Sequence, residues 1–248
     1  VVCMAFPDHE HGRVFRKDIA PNLQPGTTLW FLHGLSVHFG LVTPPADVDV
    51  IMIAPHGPGV AVRDAYLGDR GVSAFYAIHA NKSRQARSTV TQLATGIGIK
   101  PGKLVKTTFA DEAVGDIFGE QAVLCGGLAM LIKTGFDTLV KNGLKPDHAY
   151  LEVAYQLDLI IGLIKQHGIA GMFDRISVTA RYGSLRAGPK VVTASTKKAM
   201  QQVYKEVSSG RFVEQLSKLS DADLKKLRQR LAKLTDPRLE RAAKKFAE

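Results

Sequence analysis

The chain has 248 residues, 45% hydrophobic and 23% charged, enough to bury the core of one large domain or two modest ones. Its formal charge of +10 raises the question of nucleic acid, but much of the excess lies near the C-terminus. There Lys225, Lys226, Arg228, Arg230, Lys233, Arg238, Arg241, Lys244 and Lys245 are interleaved with acidic residues, and no aromatic side chain stands between Lys225 and Lys245 for base stacking. That pattern describes a solvated helical face, so no nucleic acid is expected as a partner.

The start, Val1-Val2-Cys3-Met4-Ala5-Phe6 running into Pro7-Asp8, reads as a buried strand. A fold rarely opens on one, so either sequence precedes it or a segment present in relatives has been lost. Cys3 and Cys125 are the only cysteines, far apart and without zinc-site spacing, so no disulfide framework is expected. No basic-then-apolar leader is present, and the apolar runs are broken by Gly, Lys or Asp before the roughly 18 residues of a spanning helix. A cytoplasmic protein without membrane attachment is the expectation.

Up to about residue 107, short apolar β-type runs alternate with Gly and Pro: Thr28 to Leu32, Val48 to Ala54 and Ser73 to Ile78. Runs this short and this apolar suit strands of a parallel sheet covered on both faces. His33 and His38 follow the first of these, and His56-Gly57-Pro58-Gly59 follows the second. In open α/β sheets, loops at the carboxyl ends of strands hold ligands, and glycines let a cofactor approach the backbone. A Gly-Pro-Gly stretch also serves simply as a turn.

From Phe109 the texture becomes helical, with long segments at Asp111 to Thr134, His148 to Gln166 and Lys197 to Val207. Asp116 and Glu120 lie four apart, on one helix face. Two carboxylates in apolar surroundings need a cation or a proton, and a hard ion such as Mg²⁺ would supply the charge. An exposed acidic turn paired with lysines fits the same spacing. Glu152 and Gln156 repeat the arrangement on a second helix, either as a further oxygen-bearing stripe or as a hydrogen-bonded pair. Ser177 and Thr179 fall in a loop-like stretch that runs to Gly183, where a hydroxyl either holds a substrate carboxylate or caps a helix. No phosphate loop, nucleophile elbow or G-x-G-x-x-G fingerprint occurs.

Taken together, Pro25-Gly26, His33-Gly34, His38-Phe39-Gly40, Pro44 through Met52, Gly57-Pro58-Gly59, Thr107-Thr108-Phe109 and above all Asp116 through Gly127 resemble ketol-acid reductoisomerase. The likeness continues through Ala170-Gly171-Met172, Ser177, Tyr182-Gly183 and Gly188-Pro189, so it is collinear over nearly the whole chain. It implies an α/β plus all-α fold: a partial Rossmann-type NADP-binding domain over residues 1–107, then a knotted, all-helical metal- and substrate-binding domain over 108–248. The activity it implies is conversion of acetohydroxyacids to 2,3-dihydroxyacids in branched-chain amino-acid synthesis. Two Mg²⁺ ions serve the alkyl migration and NADPH serves the reduction.

The same resemblance implies that Asp116 bridges both metals and that Glu120 serves the first. Glu152, with Gln156, serves the second, and Ser177 contacts substrate. His33 and His56 stand at catalytic positions and Gly59 at a cofactor-contacting one. A homodimer or higher homo-oligomer is implied too. Three positions depart from the family pattern: Gln156 replaces a glutamate, His56 a lysine and Arg181 a glutamate. These departures, with the Gly-rich turn and NADPH-selecting residues of the family missing from the chain, keep open a paralogue of lost or altered activity. Such a protein would reduce another 2-keto acid or act as a non-catalytic oligomer.

Overall fold

The structure is a computed structural model and describes residues 1–247. It forms two compact units, one of Val1–Phe118 with Glu206–Leu219 and one of Gly119–Lys205 with Ser220–Glu248. The first is built on a five-stranded sheet in the order β1 (Val2–Met4), β2 (Thr28–Phe31), β3 (Asp49–Pro55), β4 (Ala74–Ala80) and β5 (Leu104–Lys106).

Side chains alternate across a strand, and the sequence makes both faces apolar. Leu29, Phe31, Val50, Met52 and Ala54 pack on one face with Met4, Phe15 and Phe109. Ile51, Ile53, Ala74 and Tyr76 pack on the other, under Ala86, Val90 and Ala94 of helix α4 (Ala86–Gly96). β3 is therefore the central, doubly covered strand, with Ile51, Met52 and Ile53 wholly shielded from solvent.

β1, β2 and β3 are parallel, with Phe31 opposite Met52. β4 is not: it runs antiparallel to β3, pairing Ala74 with Pro55, and β5 is parallel to β4. The wholly parallel sheet expected from the short apolar runs is thus corrected. Period-two burial records which faces are covered and carries no strand direction. Because β1 to β3 share a direction, the turns after Met4, Phe31 and Pro55 open on one edge of the sheet. There the chain forms α1 (Asp8–Val14), α2 (Leu35–His38) and α3 (Gly59–Leu67). β5 leads through Thr108 into α5 (Phe109–Gly119), whose Phe109 meets Phe31 edge-on with centroids 6.2 Å apart.

Helical structure runs without interruption from Phe109 to Lys141, through a π-helical turn over Glu120–Leu124 and α6 (Gly126–Lys141). This run is long and apolar enough by composition to cross a membrane, contrary to the expectation that every apolar stretch is too short. Only Lys133, Asp137 and Lys141 carry charge beyond Glu120, and a helix tolerates such interruptions. Its first turns are core all the same, since Phe109, Ala113 and Ile117 are buried in the α/β unit.

The second unit is helical: α6, α7 (Pro146–Tyr150), a second π turn over Leu151–Tyr155, α8 (Leu157–Phe173) broken at Gly168, α9 (Val178–Val191), most of α10 (Ala194–Ser208), α12 (Asp221–Leu234) and α13 (Pro237–Phe246). The short α11 (Arg211–Leu216) belongs to the α/β unit. The stretch after Ser177, expected as loop, is the first turns of α9. Ser177 nucleates it as N-cap, its Oγ accepting from the Ala180 N–H at 3.1 Å, and Pro189 lies only two residues before the helix ends.

The π turns account for the sequence around Cys125. Wider winding brings the Gln121 and Ala122 carbonyl oxygens to 2.2 Å from where a Cβ would stand on Gly126 and Gly127. Only glycine fits at either position.

Candidate active site

On the ligand-facing edge of the sheet, the loop after β2 meets α5. The His33 Nδ1 lies 2.9 Å and 3.0 Å from the two carboxylate oxygens of Glu112, and the Gly34 backbone N–H donates to Glu112 Oε2 at 2.6 Å. Asp116, one turn further along α5, brings Oδ2 within 3.8 Å of the same imidazole nitrogen. One ligand-type atom from each of His33, Glu112 and Asp116 lies within 4.8 Å of the others.

The approach is close because residue 34 has no side chain. A Cβ there would sit 2.3 Å from the Phe109 carbonyl and 2.8 Å from Glu112 Oε2. Glu112 is 4% exposed, His33 17% and Asp116 46%, so the cluster grades from buried to open.

Charge follows that gradient. Burial alone would lower the His33 pKa, but the hydrogen bond and negative charge of Glu112, with lesser help from Asp116 and Asp8, raise it above the ordinary histidine value. The Asp116 carboxyl is raised, first by its own desolvation and then by Glu112, against opposing pulls from His33 and His56. A carboxylate held in this state gains from a cation placed at its open side.

Around this cluster the other expected residues take separate places. His56, at the end of β3, has its Nδ1 2.9 Å from Ser73 Oγ and packs edge-on against Phe75. Gly59 is the first residue of α3, with open space where a side chain would be. His38 is exposed and lies against Phe39.

Glu120 and Glu152 belong to the second unit, each within a π-helical turn. Gln156 donates from Nε2 to Glu152 Oε2 at 3.2 Å, an exposed pair four residues apart. Arg181, a departure from the family pattern, donates from Nε to the Phe173 carbonyl at 2.8 Å and so fastens α9 to the end of α8.

Three polar residues of the α/β unit escaped sequence reading. Glu112 stands four residues before Asp116, so the stripe Glu112-Asp116-Glu120 carried the signal at the same spacing as the pair that was singled out. His11, 3% exposed, bridges Ser36 Oγ at 2.7 Å and the Phe6 carbonyl at 2.9 Å, tying the loop after β1 to α2. Buried Asp49 accepts backbone N–H groups of Lys82 and Ser83 at 2.5 and 3.0 Å, which, with the Ser83 hydroxyl, overcome its burial and keep its pKa below the usual carboxylate value. Nothing in the spacing of His11 or Asp49 marks either one.

An α/β unit with a histidine–carboxylate cluster at the carboxyl edge of its strands, where open α/β sheets hold their ligands, followed by a helical unit, defines a two-part protein. The family model for the ketol-acid reductoisomerase C-terminal domain matches residues 109–248, and that for the acetohydroxy acid isomeroreductase NADPH-binding domain matches residues 1–103. The chain belongs to the ketol-acid reductoisomerase family.

It is 47% identical over 215 residues to the ketol-acid reductoisomerase (NADP(+)) of Pyrobaculum arsenaticum, covering 87% of this chain and 66% of that protein. It is 44% identical over 216 residues to that of Mycolicibacterium gilvum, covering 87% and 64%. The chain therefore spans just under two thirds of the length of these curated relatives. The solved structure of an NADH-preferring ketol-acid reductoisomerase from an uncultured archaean superposes on all of the chain, and on 76% of its own, with a TM-score of 0.92 at 33% identity.

Proposed function

We propose that the chain is the catalytic body of a ketol-acid reductoisomerase. In this reading it converts acetohydroxyacids, 2-acetolactate and 2-aceto-2-hydroxybutyrate, to 2,3-dihydroxyacids for branched-chain amino-acid synthesis in the cytoplasm. The observation that carries the reading is the His33–Glu112–Asp116 cluster on the ligand-facing edge of the sheet of a family member.

Glu112, anchored by the Gly34 N–H, takes the Nδ1–H of His33 and leaves Nε2 to meet a substrate oxygen. With its pKa raised, His33 holds a proton that it can donate toward an oxygen gaining charge during alkyl migration or reduction. Asp116, desolvated yet open on one side, suits Mg²⁺. In the helical unit Glu120, Glu152 and the neutral oxygen of Gln156 are oxygen donors of the kind Mg²⁺ takes. Bound there, Mg²⁺ supplies Lewis-acid polarisation of the substrate's oxygens. Ser177 Oγ accepts from Ala180 and keeps its own O–H to offer a substrate carboxylate. Gly59 gives NADPH room beside the sheet edge, with His56 as the nearby imidazole.

The partner in this reading is a second copy of the chain, as a homodimer or higher homo-oligomer. Leu124, Leu131, Leu159 and Ile169 of the helical unit are 54–65% exposed, an amount of open apolar surface that calls for a cover. Neither nucleic acid nor a membrane has a part. In the basic C-terminal segment, Lys226, Arg238 and Lys245 are already paired with Asp223, Asp236 and Asp147.

A second reading, a paralogue of lost or altered activity, draws support from Gln156. It spends its amide on Glu152 and brings one negative charge fewer than a glutamate would.

Assaying the whole protein with 2-acetolactate, Mg²⁺ and NADPH, by loss of nicotinamide absorbance, separates the two. Turnover is expected, falling by about 10² to 10⁴ in His33→Ala. A folded protein without turnover overturns the first reading. Gln156→Glu should then restore activity and tighten Mg²⁺ binding if the missing carboxylate is the cause.

A further inference from the structure

The α/β unit contains a cavity of about 630 Å³ that shares no lining residue with the His33 cluster. It opens where β5 ends. β5 pairs with β4 only from Ala74 to Tyr76, so the rest of β4 has no strand on that side, and the chain turns away through Thr107.

The cavity's charged lining is of one kind. Arg87 and Lys106 line it, with His38, His79 and Thr107 beside them, and no carboxylate lines it. The Arg87 guanidinium lies over the buried Tyr76 ring, 4.5 Å from its centroid, which fixes the cation at the wall and leaves its N–H edge unspent. Among the described residues neither Arg87 nor Lys106 makes an ion pair. Two unpaired cations around one hollow repel one another, and an anion relieves that. The volume falls in the range of small-molecule sites and exceeds what an inorganic ion fills.

We propose that this cavity is a binding site for a small phosphorylated metabolite, separate from the reaction centre. Arg87 offers a planar fork to the phosphate oxygens, Lys106 a point charge, and Thr107 a hydroxyl donor. The remaining volume and the aromatic floor leave room for the organic part of the ligand. The proposal stands on the cavity alone and does not depend on the reaction assigned to the protein.

The test is calorimetric titration of the intact chain with inorganic pyrophosphate, in a chelating buffer so that no divalent ion bridges phosphate to carboxylates. Saturable one-to-one binding is expected. Arg87→Gln should weaken it about tenfold, and Arg87→Gln with Lys106→Ala by more, with circular dichroism unchanged. Arg87→Gln is the variant to rely on should the double variant not fold, because its side chain is exposed. Lys225→Ala with Arg230→Ala, which removes as much charge from the C-terminal segment, should leave binding unaltered. Equal losses in both sets would mean binding to net charge and would overturn the proposal, as would absence of saturation. Asp116→Asn separates the sites: a change in pyrophosphate affinity there would place the anion in the His33 cluster instead. A single-stranded oligonucleotide that binds through Arg87 far more tightly than pyrophosphate would also overturn it, in favour of a polymer groove.

Discussion

His33 owes its character to one buried neighbour. Glu112 receives the imidazole and the Gly34 N–H together, and its charge reverses what burial alone would do to the histidine. Replacing it with glutamine keeps the shape and removes the charge. Burial is then opposed only by Asp116 and Asp8, so the His33 pKa in Glu112→Gln should fall relative to the parent protein. Imidazole resonances followed by NMR through a pH titration of metal-free protein would report this, and an unchanged titration would deny Glu112 its role.

Asp236, the N-cap of α13, illustrates the opposite sign. Its carboxylate accepts the backbone N–H of Arg238 at 2.8 Å and pairs with the Arg238 guanidinium, whose hydrogen bonds hold its pKa down to about 2. A carboxyl depressed on folding contributes stability that is complete above its unfolded value of about 3.9, and that is lost as pH falls through about 2. Asp236→Ala should cost about 1 kcal/mol in urea denaturation at neutral pH. The difference from the parent protein should shrink between about pH 4 and pH 2.

At the scale of elements, much of the α/β part was legible. The strands β2, β3 and β4 fall within a residue or two of the apolar runs, because a doubly covered strand has to be apolar at nearly every position. Their relative direction was not legible, since pairing sense is set by how α3 returns the chain, and alternating burial is blind to it. The long helices were visible from their periodicity. The first turns of α9 were not, because glycines and a proline near its far end masked what the Ser177 cap had started.

Asp116 of the site was marked by spacing, whereas His11 and Asp49 of the same unit act through partners distant in sequence, Ser36 and Lys82–Ser83. The π turn is also an element-scale constraint. Gly126→Ala forces a methyl group against the Gln121 carbonyl and should destabilise the protein by about 1–3 kcal/mol, measured by chemical denaturation. The same change at Gly162, which has open space around it, should cost nothing or stabilise slightly.

For the molecule as a whole, the two units bury themselves to different extents. The sheet unit holds two shielded clusters, one on each face. In the helical unit the named helices α8, α9 and α12 contain no fully buried residue. A unit so lightly buried within itself is marginal alone, and the apolar side chains that it leaves open are where the expected second copy would gain most. Sedimentation velocity should find a dimer or larger species at micromolar protein. Leu159→Glu with Ile169→Glu, both exposed in the single chain, should shift it toward monomer and lower the melting temperature. A parent protein that sediments as a stable monomer would remove the case for self-association.

Glu120 and Glu152, the two candidate metal carboxylates of the helical unit, both ride on π turns, each of which carries one residue more than an α-helical path needs. One residue is about 100° of rotation around a helix axis. Such a turn works as a phase step: side chains before it and after it are read from different angular origins, so one continuous rod can present a carboxylate to one set of neighbours and its apolar stripe to another. The length of the Glu120–Leu124 segment is thus as much a specification as its composition, and a one-residue deletion there would turn every side chain of α6 out of place while leaving the helix itself intact.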